Sequence, residues 1–123
     1  MFELELEGHF AAAHRLREYE GNCEHLHGHN WKVRLVLAGT SQDDLGMLID
    51  FREARRILDE VMDVLDHQYL NDLPCFEQLN PTTENIARYI HGEISTRLPE
   101  GVNVKRVTAW ESEHCAATYY EEL

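Results

Sequence analysis

Apolar and polar residues alternate from the first positions of the chain. In FELELEGHFAAAH, Phe2, Leu4 and Leu6 fall on one face, which is the two-residue period of a strand. The period returns in HNWKVRLVLAG, where Trp31, Val33, Leu35 and Leu37 share a face and Gly39 ends the run. The stretch between them, RLREYEGNCEHLHG, predicts a loop of functional length. The period then changes. Phe51, Ala54, Ile57, Leu58, Val61, Met62 and Leu65 recur at helical spacing behind Asp50, a suitable N-cap. LNDLP breaks that pattern, and NPTTENIARYIHGEISTRL predicts a second helix capped by Asn80 or Thr82, with Glu84 in its first turn. Its apolar stripe is Ile86, Ala87, Ile90, Ile94 and Leu98, and PEG stops it. VNVKRVTAWE and CAATYYEE close the chain as two strands joined by a short turn.

The predicted order is β-β-α-α-β-β, an α+β chain. Two hairpins separated by two helices suggest a four-stranded antiparallel sheet with both helices on one face. A sheet of this kind has two edges, and long edges tend to be paired or covered; strand pairing between subunits is one way to do so. With 123 residues and no repeat or linker, residues 1–123 predict a single domain. It is long enough for a core but short for a deep, self-contained cleft.

Charge narrows the partners. Twenty-three acids against 11 bases give a net charge of -12, which repels nucleic acid and membrane surfaces alike. An anionic small molecule would need a local positive site, for which a metal and some of Arg15, Arg17, Lys32, Arg34 and Arg106 are available. No apolar run approaches the roughly 20 residues of a membrane span. MFELELEGHF lacks the basic start and cleavage site of a signal peptide, so the expected location is cytoplasmic. Cys23, Cys75 and Cys115 are odd in number and form no CxxC, so free thiols are expected.

The chemistry concentrates in NCEHLHGHNW. Side chains two apart on a strand point to the same face, so His27 and His29 can converge on one ion, with Gly28 between them to let the backbone bend. His14, at the end of the neighbouring strand, is the candidate third ligand. Three histidines with an open fourth position is the catalytic pattern for zinc, whereas a structural zinc is usually closed by four protein ligands. Taken singly, each of these histidines also fits an ordinary surface position. His25 shares their parity one pleat further out, as a fourth ligand or a rim residue. His9, His91 and His114 show no partner spacing and are expected to face solvent or be satisfied locally.

Cys23 lies four residues before His27. A thiol beside a cation has a lowered pKa and can act as a base; a buried, inert cysteine is the alternative. Cys75 and Cys115 read as inert. Asp66 and His67 stand together at the end of the first helix, and as immediate neighbours they are expected to need a third group before the carboxylate can orient the imidazole. Glu111, in WES, offers a carboxylate suited to the paired N–H edge of a heterocycle.

Together FAAAHRL, CEHLHGHN, LIDF, LDHQYLND, NPTTENIA and WES resemble, in order and spacing, the motifs of the 6-pyruvoyltetrahydropterin synthase superfamily. The likeness is strongest to its 6-carboxytetrahydropterin synthases of queuosine biosynthesis, because Cys-x3-His-Gly-His resembles that branch and Cys-x5 the animal-type enzymes. The resemblance implies a tunnelling fold in which three subunits close a barrel and two trimers stack as a homohexamer. It implies zinc, one per subunit, on His14, His27 and His29. Cys23 would be the proton-abstracting base, Asp66 and His67 a proton relay, and Glu111 the pterin anchor with Thr82 and Thr83 beside it. The implied reaction is a lyase step on 7,8-dihydroneopterin triphosphate giving 6-carboxytetrahydropterin, acetaldehyde and triphosphate. Glu24 adds an alternative, since some relatives carry a glutamate in this region and cleave the substrate to 6-hydroxymethyl-7,8-dihydropterin for folate. A 6-pyruvoyltetrahydropterin synthase-type reaction is a further enzyme alternative, and a zinc- or pterin-binding module without turnover is the non-enzyme one.

Overall fold

The structure, a computed structural model, describes residues 1–17 and 26–122. Cys23, Glu24 and His25 lie outside the described residues. Strand β1 (Phe2–His14) pairs antiparallel with β2 (His27–Gly39) along their whole length, with His14 opposite His27 and Ala12 opposite His29. Helix α1 (Phe51–Leu65) follows, then β3 (Gln68–Tyr69), two short 3-10 turns, and helix α2 (Thr83–Ser95). Strands β4 (Asn103–Ser112) and β5 (Cys115–Tyr119) complete the sheet.

The sheet order is β3-β1-β2-β4-β5. Its four long members are the antiparallel set that the alternation predicts. The fifth, β3, corrects the strand count: two residues pair parallel with Ala12 and Ala13, too few to leave an alternating pattern. Strand β4 skips Lys105 in its register with β2, where a bulge falls between Val36 and Leu37.

One face of the sheet is apolar throughout. Leu6, Phe10 and Ala12 on β1, Trp31, Val33, Leu35 and Leu37 on β2, and Val107 and Ala109 on β4 are buried. Phe10 stacks on Trp31 at 5.7 Å between centroids. Helix α1 lays Ala54, Ile57, Leu58, Val61, Met62 and Leu65 on this core, and Asp50 caps it by accepting from the Arg52 amide at 2.8 Å. Phe51 begins the helix but stays exposed. Gly8 permits the close approach of α1, since a Cβ there would sit 3.2 Å from the side chains of Leu58 and Met62.

Of the two candidate caps for α2, the structure selects Thr82, whose hydroxyl accepts from the Asn85 amide at 3.1 Å. Helix α2 ends at Ser95, so Leu98 packs beside the core from beyond the helix. His91 does not face solvent, being only 6% exposed, and of the two expectations it follows the local one, with Nδ1 3.6 Å from a Glu121 carboxylate oxygen. It stands four residues after Ala87 and three before Ile94, on the stripe that faces the sheet. Its ring meets Tyr119 edge-on at 5.0 Å, and burial holds its pKa below the usual histidine value. His9 and His114 are exposed, as expected.

Candidate metal centre and adjoining cleft

The buried stripe of β1 runs on to its last residue. Alternation that places Phe10 and Ala12 in the core also turns His14 inward, and it is 2% exposed. On β2 the same parity that buries Trp31 and Val33 brings His29 and His27 to that face. The antiparallel register then sets His27 beside His14. Strand β4 contributes Glu111, two residues past buried Ala109.

Four side chains converge: His14, His27, His29 and Glu111 have ligand atoms all within 4.8 Å of one another. Nε2 of His14 is 3.0 Å from Nε2 of His27. Oε1 of Glu111 lies 3.0 Å from Nε2 of His14, 3.0 Å from that of His29 and 3.5 Å from that of His27. A tetrahedral ion with bonds of about 2.0–2.1 Å separates its ligand atoms by roughly 3.3 Å, close to this spacing.

Proton accounting also fits a cation. His14 donates from Nδ1 to the carbonyl of Pro81 at 2.7 Å, so in the neutral ring Nε2 is a lone pair facing a carboxylate. The buried Nε2 of His29 makes no well-aligned hydrogen bond despite its closeness to Glu111. A positive ion at the centre satisfies all of these atoms at once. Burial lowers the pKa of His29, and its two histidine neighbours act in the same direction, favouring the neutral, ligating form. For Glu111, burial pushes the pKa up, but the imidazoles of His14 and His29 outweigh it and keep the group ionised.

The sequence offered Glu111 as a heterocycle anchor and gave no sign that it neighbours the histidines. That placement comes from β2–β4 pairing, which sets Trp110 opposite Lys32 and is not contained in any local motif. Its second oxygen, Oε2, accepts from the Thr83 hydroxyl at 3.4 Å. Thr82, Thr83, Glu84, His14 and Glu111 border a cleft of ≈ 370 Å³. Gly28 sits in regular strand pairing opposite Ala13, and a Cβ there would meet nothing within 4 Å. No bend at Gly28 is needed to converge the histidines, contrary to the role expected for it.

Asp66 and His67 form a pair with the Ala11 amide as its third group. The adjacent residues do contact each other directly, Nδ1 of His67 to Oδ2 of Asp66 at 2.9 Å. His67 adopts a positive φ of 57°, which folds its ring back towards its neighbour. The edge of β1 holds both: Asp66 Oδ1 accepts from the Ala11 amide at 2.8 Å, and the His67 amide donates to the Ala11 carbonyl at 2.6 Å. The Ala11 amide, with help from His67, lowers the Asp66 pKa. His67 and His29 border one shallow cleft of ≈ 390 Å³. Cys75 and Cys115 are free thiols and neither belongs to the four-residue cluster; burial raises the Cys75 pKa.

The family model for 6-pyruvoyl tetrahydropterin synthase matches residues 3–122. The chain belongs to this family. It is 38% identical over 102 residues to a Pyrococcus furiosus dihydroneopterin monophosphate aldolase, covering 83% of this chain and 82% of that one. It is 40% identical over 90 residues to a Synechocystis 6-carboxy-5,6,7,8-tetrahydropterin synthase, covering 69% and 68%. A solved Caenorhabditis elegans 6-pyruvoyl tetrahydropterin synthase superposes with a TM-score of 0.88 at 26% identity, over 98% of this chain and 96% of that one. The fold is therefore the tunnelling fold, and the chain is a pterin synthase of this family. No helix among the described residues is long and apolar enough to cross a membrane.

Proposed function

We propose that the chain is a zinc-dependent 6-carboxytetrahydropterin synthase. It converts 7,8-dihydroneopterin triphosphate and water to 6-carboxytetrahydropterin, acetaldehyde and triphosphate. The observation that carries this reading is the convergence of three imidazole nitrogens with Glu111 beside the Thr83 cleft. His14, His27 and His29 would hold the zinc, which supplies Lewis-acid polarisation of the substrate's side-chain oxygens.

The chain's own groups divide the remaining work. Oε2 of Glu111 and the Thr83 hydroxyl take the N–H edge of the pterin, while Thr82 fixes the first turn of α2 beneath it. Cys23 removes a proton from the substrate side chain. The Asp66 carboxylate holds Nδ1 of His67, leaving Nε2 of that 82%-exposed ring free to pass a proton. This prearranged pair favours an enzyme over a binding module, which has no use for it.

A second reading is favoured by Glu24 together with the aldolase relative: cleavage to 6-hydroxymethyl-7,8-dihydropterin. Incubating zinc-loaded protein with dihydroneopterin triphosphate and identifying the pterin separates the readings. 6-Carboxytetrahydropterin is the expected product. Hydroxymethyldihydropterin alone would favour the second reading, 6-pyruvoyltetrahydropterin the animal-type reaction, and binding without turnover the non-catalytic module.

The same reading gives a cytoplasmic homohexamer, a dimer of trimers. The outer edge of β1 is paired only at Ala12 and Ala13, and β5 is the opposite edge; joining such edges between subunits would close a barrel. Sedimentation should give a hexamer, and a stable, active monomer would contradict this assembly.

A further inference from the structure

The chain carries a net charge of -12, yet the substrate of the proposed reaction carries phosphates, so some cation must meet them. Most cationic heads are already engaged. The arginines of α1 pair with carboxylates of that helix and its cap. Lys32 and Arg34 share Glu7 and lie over the Trp110 ring. Lys105 pairs with Glu3, in whose field Arg106 also lies. Arg97 pairs with Glu60 and Glu93, and Arg88 lies over Tyr119.

Arg17 is close to the site but spent on structure. Its guanidinium donates to the carbonyls of Phe76, Leu79 and Asn71 at 2.8, 3.2 and 3.1 Å. Arg15 is different. Among the described residues, its exposed head has no hydrogen bond, ion pair or ring partner. Its backbone, by contrast, is clamped on both sides by buried Asn71, which accepts from the Arg15 amide at 2.9 Å and donates to its carbonyl at 2.8 Å. A fixed backbone presents a free cation one residue after His14. The burial alternation of β1, with Ala12 and His14 buried and Ala11 and Ala13 half-buried, runs on into exposed Arg15. Arg15 lies two residues beyond Ala13, which borders the cleft shared with Gly28, His29 and His67.

We propose that Arg15 binds the phosphate end of the substrate. This rests on the reading of a phosphorylated pterin as substrate. With the pterin edge at Glu111 and Thr83 and the substrate side chain at the histidines, the phosphates would extend beyond the histidines, and Arg15 follows His14 directly in the chain. A guanidinium fork matches phosphate oxygens in a bidentate manner.

The test compares zinc-loaded wild type, Arg15→Gln and Arg15→Lys on 7,8-dihydroneopterin triphosphate and on unphosphorylated 7,8-dihydroneopterin. Arg15→Gln should weaken binding and raise KM for the triphosphate about ten- to hundredfold, the worth of one or two charge-assisted hydrogen bonds. Affinity for dihydroneopterin and kcat on the triphosphate should stay within about twofold, and Arg15→Lys should recover part of the loss. Equal KM for the triphosphate in wild type and Arg15→Gln overturns the inference alone. So does an equal loss for both pterins with a lowered Tm, which marks a structural role. A wild type that binds neither pterin overturns the functional reading, and the inference with it.

Discussion

Cys23→Ala should abolish formation of 6-carboxytetrahydropterin and leave the metal in place. Removing a general base costs about 10²- to 10⁴-fold in rate, and the three histidines and Glu111 are untouched by the change. Cys23 is four residues from His27, a span of at most about 14 Å of chain, so the thiol is tethered to the centre. A cation within reach favours the thiolate and makes it a competent base near neutral pH. The neighbouring Glu24 supplies the internal control. If the backbone there is extended, adjacent side chains would point to opposite sides and only one of the two would face the metal; a loop would relax that constraint. Any 6-hydroxymethyldihydropterin activity should survive Cys23→Ala and vanish in Glu24→Ala. Assays of both products in both variants check this, and full carboxytetrahydropterin activity in Cys23→Ala would remove the thiol from the mechanism.

His27→Ala should lose its zinc and with it all turnover, while remaining folded. His27 is the suitable position because its side chain is 30% exposed, whereas that of His14 is 2% exposed. Truncating His14 would also strip the Pro81 carbonyl of its donor, leaving a buried acceptor unpaired at about 1–3 kcal/mol. That would confuse metal loss with unfolding. Metal analysis of His27→Ala beside a melting curve separates the two, and full retention of zinc would refute the ligand assignment.

The long elements and the histidine triad were legible in the sequence because both depend on short-range periodicity. His27 and His29 share a face by parity, and His14 joins them because it ends a strand whose alternation is clear. Residues that meet through strand register or unusual backbone were not. Glu111 reaches the histidines only through the β2–β4 register, and His67 reaches Asp66 only through a left-handed backbone. The two-residue strand β3 and the Asn71 clamp on Arg15 are likewise products of the turn after α1 folding back along β1. His91 is the contrary case: its place on the α2 stripe was available from spacing, and its polarity masked it.

In the proposed centre three histidines would hold the zinc and leave the thiol of Cys23 off the metal, free to act as base. X-ray absorption at the zinc edge of the wild-type protein tests it most directly. The predicted spectrum shows imidazole nitrogens at about 2.0–2.1 Å and no sulfur near about 2.3 Å. A zinc–sulfur shell at that longer distance would make Cys23 a ligand instead of a base and contradict the account.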